Sequence, residues 1–151
     1  MSTVLLTGAT GYIGRRLERR QSEREGITLS LLVRNARKLS GRTCQHAQII
    51  EADTFSTEGL RQALTGVDTA FYLIHSMGAG EDFSQLDRQS AANFLDACIY
   101  CGVRRIIYLG GLGDPSSASK HLTSRLETGA ILSSRPDQIQ TIWFRAGVII
   151  G

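Results

Sequence analysis

The sequence predicts a doubly wound α/β domain: a parallel sheet of about six strands in the order 3-2-1-4-5-6, with helices on both faces. Three observations carry this. Short apolar runs alternate with amphipathic stretches along all 151 residues. The runs are apolar at successive positions, as strands covered on both faces must be. Gly8, Gly11 and Gly14 punctuate the junction between the first run and the first amphipathic stretch. Right-handed crossovers then restrict the topology to a few options, of which 3-2-1-4-5-6 leads.

The elements follow in order. Thr3–Thr7 is the first strand, and Tyr12–Glu23 a helix with Ile13, Leu17 and Arg20 at helical spacing. Ile27–Val33 and His46–Ala52 are β-rich apolar runs, and the alternation places a helix between them. Thr57–Leu64 reads as a short helix, with Leu60 and Leu64 four apart, and Thr69–Ile74 as the fourth strand. Phe83–Tyr100 is a long helix whose expected buried stripe is Leu86, Ala91, Phe94, Leu95, Cys98 and Ile99. Arg104–Leu109 is the fifth strand, Ser119–Leu132 the last helix and Gln140–Ile150 the last apolar run. The two prolines, Pro115 and Pro136, fall in loops.

The composition, 42% hydrophobic and 21% charged, suits one globular domain spanning 1–151 with a sizeable core. No apolar run is long enough to span a bilayer, and "MSTVLLTGATGYIG" lacks the basic start and long apolar stretch of a secretory leader. A cytoplasmic protein without a membrane partner is expected. Cys98-x-x-Cys101 has metal-ligand spacing, but no second pair completes a site, and Cys44 stands apart. Buried reduced cysteines and no metal are expected. The net charge is +3, and 15 of the 17 basic residues are arginine. Arg15, Arg16, Arg19, Arg20 and Arg24 cluster on the first helix, with Glu18 and Glu23 interleaved and no aromatic ladder beside them. A solvated helix face fits this better than a nucleic-acid surface.

The glycines point to a dinucleotide. Gly8 permits the tight turn out of the strand, Gly11 lets backbone N–H groups approach a pyrophosphate, and Gly14 lets the helix pack closely on the sheet. The helix N-terminus then turns its partial positive charge toward the phosphates. Where an NAD site typically places an acidic residue, about 20 residues past the glycines, this chain has Arg34. A guanidinium pairs bidentately with a 2′-phosphate and gains nothing special from a hydroxyl. Lys38 and Arg15 add charge on the same side. NADP(H) is therefore expected over NAD(H). Asp53 is placed to reach the adenine amino group or to cap the helix that follows.

These pieces resemble the extended and atypical short-chain dehydrogenase/reductases, and most closely their NmrA-like branch. The resemblance rests on "TGATGYIG" at Thr7–Gly14, "VR" at Val33–Arg34, "EADTF" at Glu51–Phe55, "AFYLIHSMG" at Ala70–Gly78, "GVRRIIYLGGLG" at Gly102–Gly113 and "FRAGVIIG" at Phe144–Gly151. It implies a Rossmann fold with the dinucleotide along the carboxyl ends of the strands. Gly8, Thr10, Gly11, Tyr12, Ile13 and Gly14 would hold the pyrophosphate, and Arg34 and Lys38 the 2′-phosphate. Asp53 and Thr54 would flank adenine. Leu73, Ile74 and His75 would line the ribose and nicotinamide, with Gly110 near them at the exit of the fifth strand. It implies a homodimer built on the helices Asp82–Tyr100 and Ser119–Leu132. It also implies a substrate-binding region beyond Gly151, which this chain lacks.

The chain departs from the family where the chemistry sits. Active members carry a Ser or Thr near the exit of strand five, then a Tyr and a Lys four residues apart on the next helix. Here Gly110 and Gly111 occupy the hydroxyl region, His121 falls at the Tyr position and Arg125 at the Lys position. Ser124 matches the Ser that often precedes the Lys. Four residues apart on a helix puts His121 and Arg125 on one face. An imidazole can act as general acid or base near neutral pH, and the guanidinium can anchor the ribose or a substrate. Two functions fit: a reductase of a small molecule with unusual catalytic groups, or a non-catalytic domain that senses the dinucleotide.

Overall fold

A computed structural model describes residues 1–40, 46–76 and 82–150. Six parallel strands form one sheet in the order β3-β2-β1-β4-β5-β6. They are β1 (Ser2–Thr7), β2 (Ile27–Val33), β3 (Ala47–Glu51), β4 (Thr69–Tyr72), β5 (Arg105–Gly111) and β6 (Gln140–Ala146). The helices are α1 (Tyr12–Ser22), α2 (Thr57–Leu64), α3 (Phe83–Tyr100) and α4 (Lys120–Leu132). The predicted strand order and coverage of both faces are the ones observed.

Residue parity on the strands divides the core. Val4 and Leu6 of β1, Leu29, Leu31 and Val33 of β2, and Phe71 of β4 pack with Leu17 of α1. Leu5, Leu32, Ala70 and Tyr72 point the other way, into a larger cluster with Leu60 and Leu64 of α2, Phe94 and Leu95 of α3, and Leu132 of α4. The handedness of the crossovers explains this split. The chain moves outward from β1 through β2 to β3, then returns through the centre toward β6, so the connecting helices change faces.

Several boundaries differ from expectation. The link between β2 and β3 has a four-residue 3-10 helix, Ala36–Leu39, capped by the Asn35 side chain, where the alternation suggested a helix. β4 stops at Tyr72 because its neighbour β1 stops at Thr7: the Leu73 N–H goes to the Thr7 hydroxyl instead of a ladder carbonyl. β5 runs two residues past Leu109, to Gly111, and β6 ends at Ala146, well short of Ile150, because its partner has run out. On α1 the buried positions are Gly14 and Glu18, and Arg20 is exposed. Arg15, Arg16, Arg19, Arg20 and Arg24 are all exposed, with Arg16 stacked on Tyr12 at 3.6 Å. On α3 the expected stripe holds at Ala91, Phe94, Leu95 and Cys98, but Leu86 is exposed and its neighbour Asp87 is buried instead. Cys98 and Cys101 are free thiols, and burial pushes the Cys98 thiol upward; Cys44 lies outside the described residues. No described helix is long and apolar enough to cross a membrane.

Candidate functional site

β1 and β4 are adjacent in the sheet but their outgoing chains diverge, so a crevice opens at their carboxyl ends. The glycine turn forms one wall. Gly8 adopts φ +70°, a left-handed conformation open to glycine, and a Cβ there would lie 2.7 Å from the Leu73 carbonyl oxygen. A Cβ at Gly14 would overlap the Gly8 carbonyl. At Gly11 an added Cβ meets nothing of the protein closer than 3.4 Å, so glycine there leaves room on the outer side of the turn. α1 begins here with no side-chain cap, whereas α2 is capped by Ser56 and α4 by Ser119. Its first N–H groups are thus left for another acceptor. An exposed cradle of backbone donors at a helix start fits the phosphates of a dinucleotide. Thr10, Tyr12, Ile13 and Arg15 sit on this turn and first helical turn, and Arg15 Nε donates to the Thr10 carbonyl at 3.2 Å.

The far end of the crevice carries the selecting charges. Arg34 and Lys38 are both exposed, immediately after β2 and on the short 3-10 helix. Glu51 on β3 is engaged there, accepting the Ala36 N–H at 2.7 Å. Asp53 is exposed after β3 and accepts the Phe55 N–H at 3.0 Å; Ser56, not Asp53, caps α2. Thr54 turns inward. The Tyr72 hydroxyl donates to Ser90, Ser90 donates to Thr54 Oγ1 at 2.8 Å, and Asn93 donates to the Thr54 carbonyl at 3.0 Å. The Thr54 side chain is therefore part of the core and unavailable to flank a base.

At the other end, a cavity of about 230 Å³ is lined by His75, Ser76, Asp87, His121 and Arg125. Leu73 and Ile74 lead into it from β4, Leu73 packing under the glycine turn and Ile74 against the larger core cluster. Partial burial of the otherwise exposed His75 imidazole, with the Arg125 guanidinium nearby, holds it below the ordinary histidine range. His121 stacks on Phe83 of α3, with ring centroids 4.7 Å apart. Arg125, one turn further along α4, donates through Nη2 to the Leu109 carbonyl at 3.3 Å. The structure thus brings His75, His121 and Arg125 into one cavity.

Gly110 lies apart from this group. It is buried as the last residue but one of β5, near the strand exit, and is not among the residues lining the cavity. A Cβ at Gly110 would come within 2.5 Å of Trp143 Nε1 and 2.9 Å of Tyr108 Cε1. A Cβ at Gly111 would come within 2.6 Å of a Leu122 methyl carbon. The rings of Trp143 and Tyr108 oppose a family-type hydroxyl side chain at Gly110, whereas at Gly111 only the tip of the flexible Leu122 side chain would have to move. Tyr108 does not replace the missing tyrosine: its hydroxyl donates to the Arg125 carbonyl at 2.9 Å, beneath α4, and burial raises its pKa.

Two cavity residues escaped the sequence reading. Asp87 is 6% exposed, and its carboxylate accepts the Ser76 N–H at 3.0 Å and the Ser124 hydroxyl at 2.9 Å. A lone acidic residue inside an apolar helical stripe was the available signal. Ser76 is drawn in by that bond.

A protein-family model described as NAD(P)H-binding matches residues 8–136. No curated protein matches the chain. Among solved structures, a Rossmann-fold NAD(P)-binding family protein from Shigella flexneri shares 23% identity at a TM-score of 0.76, over 96% of this chain and 66% of its own. Triphenylmethane reductase from Citrobacter sp., solved with NADP(H), shares 24% identity at 0.78, over 96% and 49%. UDP-glucuronic acid 4-epimerase from Bacillus cereus, solved with NAD, shares 17% at 0.82, over 99% and 58%. These are likenesses of fold, and the chain spans only 49 to 66% of the three proteins' lengths.

Proposed function

Because the chain belongs to the NAD(P)H-binding family, we propose that it binds NADP(H) in preference to NAD(H) and reduces a small carbonyl-type substrate at the cavity between β4 and α4. The observation that carries this is the convergence of His75, His121 and Arg125 in one cavity beside the glycine turn. The turn of Gly8 to Gly14 would hold the pyrophosphate on the uncapped start of α1. Arg34 and Lys38 would hold the 2′-phosphate, and the exposed Asp53 would lie on the adenine side. When bound, the nicotinamide supplies a hydride. His121 would deliver a proton to the substrate oxygen as negative charge develops there. Arg125 would hold that oxygen as a fixed donor, which contributes most in a site with little water. His75, whose protonated form is disfavoured, would line the ring.

A specific observation favours the sensing alternative. The rings of Trp143 and Tyr108 crowd Gly110, where the family usually places the hydroxyl that polarises the substrate. On that reading the cavity binds a regulatory ligand, and occupancy of the glycine turn is the signal.

Fluorescence titration of NADPH and NADH against the protein tests the first part. NADPH should bind at least about ten-fold tighter, and Arg34→Glu should erase the difference. Equal affinity in the unaltered protein would sink it. NADPH oxidation with carbonyl and quinone substrates tests the second part. His121→Ala should slow it by about a hundred-fold or more. Binding without oxidation of NADPH by any acceptor would favour sensing.

A further inference from the structure

Two histidines and an arginine around a small cavity would ordinarily make an anion site. Asp87 changes that. It lies on α3 at the cavity wall, almost fully enclosed. Its two carboxylate oxygens take hydrogen bonds from the Ser76 N–H and the Ser124 hydroxyl. Both donors are neutral, so neither cancels its charge. A buried carboxylate needs a cation close by. Arg125 is the fixed cation among the described residues lining the cavity, and its guanidinium forms no ion pair with a described acidic side chain.

The two charges act on the same small volume. His75 feels both, Asp87 favouring its protonated form and Arg125 opposing it. Tyr108, on the floor beneath α4, also feels both with opposite signs. Partial burial and Arg125 both disfavour the protonated form of His75. Apart from the two imidazoles, the charged groups of the described lining are Arg125 and Asp87, one positive and one negative.

We propose that this cavity takes an uncharged, ring-sized ligand bearing a carbonyl, imine or amide group, and that Asp87 is the residue that excludes anions. An incoming carboxylate or phosphate would meet both Arg125 and Asp87 in the wall of the same cavity. The attraction and repulsion nearly cancel, and the cost of removing the anion from water is left uncompensated. A neutral carbonyl accepts a hydrogen bond from Arg125 without that cost. The volume of about 230 Å³ is below the roughly 300–1,000 Å³ of pockets for drug-sized ligands, which fits one ring and its substituent. The inference rests on the cavity being the ligand site proposed above, but on neither hydride transfer nor cofactor preference.

Benzamide and benzoate make a matched pair of probes, equal in size and different in charge. Each is titrated against the protein, with and without NADP⁺, while the imidazole C2 protons are followed by NMR; His75→Gln assigns the His75 signal. Benzamide should shift it saturably, and benzoate should bind at least about ten-fold more weakly. Asp87→Asn keeps an acceptor for Ser76 while removing the charge. It should strengthen benzoate binding at least about ten-fold and move benzamide by less than about three-fold. Circular dichroism checks that this variant folds. If it does not, Arg125→Gln gives the converse arm: the lining becomes net negative, so benzoate should weaken further than benzamide. Benzoate binding as well as benzamide in the unaltered protein overturns the proposal. So does an unchanged ratio in the variant used, or binding of neither probe. A benzamide preference without any NADPH oxidation removes the reductase reading and leaves this one standing. A benzoate preference with oxidation intact does the reverse.

Discussion

Thr7 and Leu73 join the two strands that diverge at the crevice: the Leu73 N–H donates to the Thr7 hydroxyl at 2.9 Å, and that hydroxyl donates onward to the Phe71 carbonyl at 2.9 Å. Thr7 is fully buried, so water cannot replace either bond. Thr7→Val keeps the shape and leaves both partners unsatisfied. A stability loss of about 1–3 kcal/mol is expected from urea unfolding. A loss below the error of the measurement would show that the strands are fastened some other way.

Gly11 and Gly14 separate binding from folding. Gly14→Ala forces a methyl group against the Gly8 backbone and should destabilise the protein by about 1–3 kcal/mol, lowering its thermal midpoint. Gly11→Ala meets only the Gly8 carbonyl oxygen, at an ordinary 3.4 Å, and ordinary backbone angles, so the fold should change by no more than about 0.5 kcal/mol. NADPH affinity should nevertheless fall, because the methyl group would stand where the phosphates approach. Unimpaired NADPH binding by Gly11→Ala would mean that the dinucleotide does not lie on this turn.

Gly110→Ser would restore the family's residue type without restoring its function. The new side chain meets Trp143 and Tyr108, and a destabilisation of about 1–3 kcal/mol is expected. Trp143→Leu should lessen it, and a double-mutant cycle should show coupling of at least about 0.5 kcal/mol. Additive effects would place the strain elsewhere.

His75 should titrate below the ordinary histidine value of 6.5, because its partial burial and Arg125 both oppose its protonation. A group whose protonated form is disfavoured in the folded state takes up its proton more readily when unfolded. Stability should therefore fall as pH drops from about 6.5 toward the lowered midpoint of His75, and be unaffected by this residue above that range. His75→Gln should flatten that part of the profile. An NMR midpoint at or above 6.5 would show that neither partial burial nor Arg125 governs this imidazole.

The strand order could be read from the sequence because it follows from alternation and chain handedness, which apolar periodicity reports directly. The glycine turn was legible for a similar reason: its three glycines each answer a local steric demand. The strand ends were less so. β4 and β6 stop where their neighbours stop, and a neighbour's length is not written in a strand's own residues. Thr54 and Gly110 show the same limit at the candidate site. Thr54 stands in the right place along the chain, but Ser90 and Asn93 of a distant helix draw it inward. Gly110 is fixed by Trp143, which lies 33 positions later in the sequence. Asp87 was passed over because helical periodicity scores a charged residue as surface, whereas Ser76 and Ser124 supply the bonds that let it be buried.

β1 is made first, yet it occupies the middle of the sheet, with Val4 paired to Leu29 on one side and to Thr69 on the other. The Thr7–Phe71 bond closes a loop of 64 residues. Closing such a loop spends chain entropy before the contacts return it, so pairings of this span form slowly. On the ribosome the glycine turn would remain half-built, lacking its Leu73 wall, until β4 had cleared the exit tunnel. The dinucleotide should then favour the folded protein only late in synthesis, as a ligand that seals the central strand pair in place and cannot nucleate it.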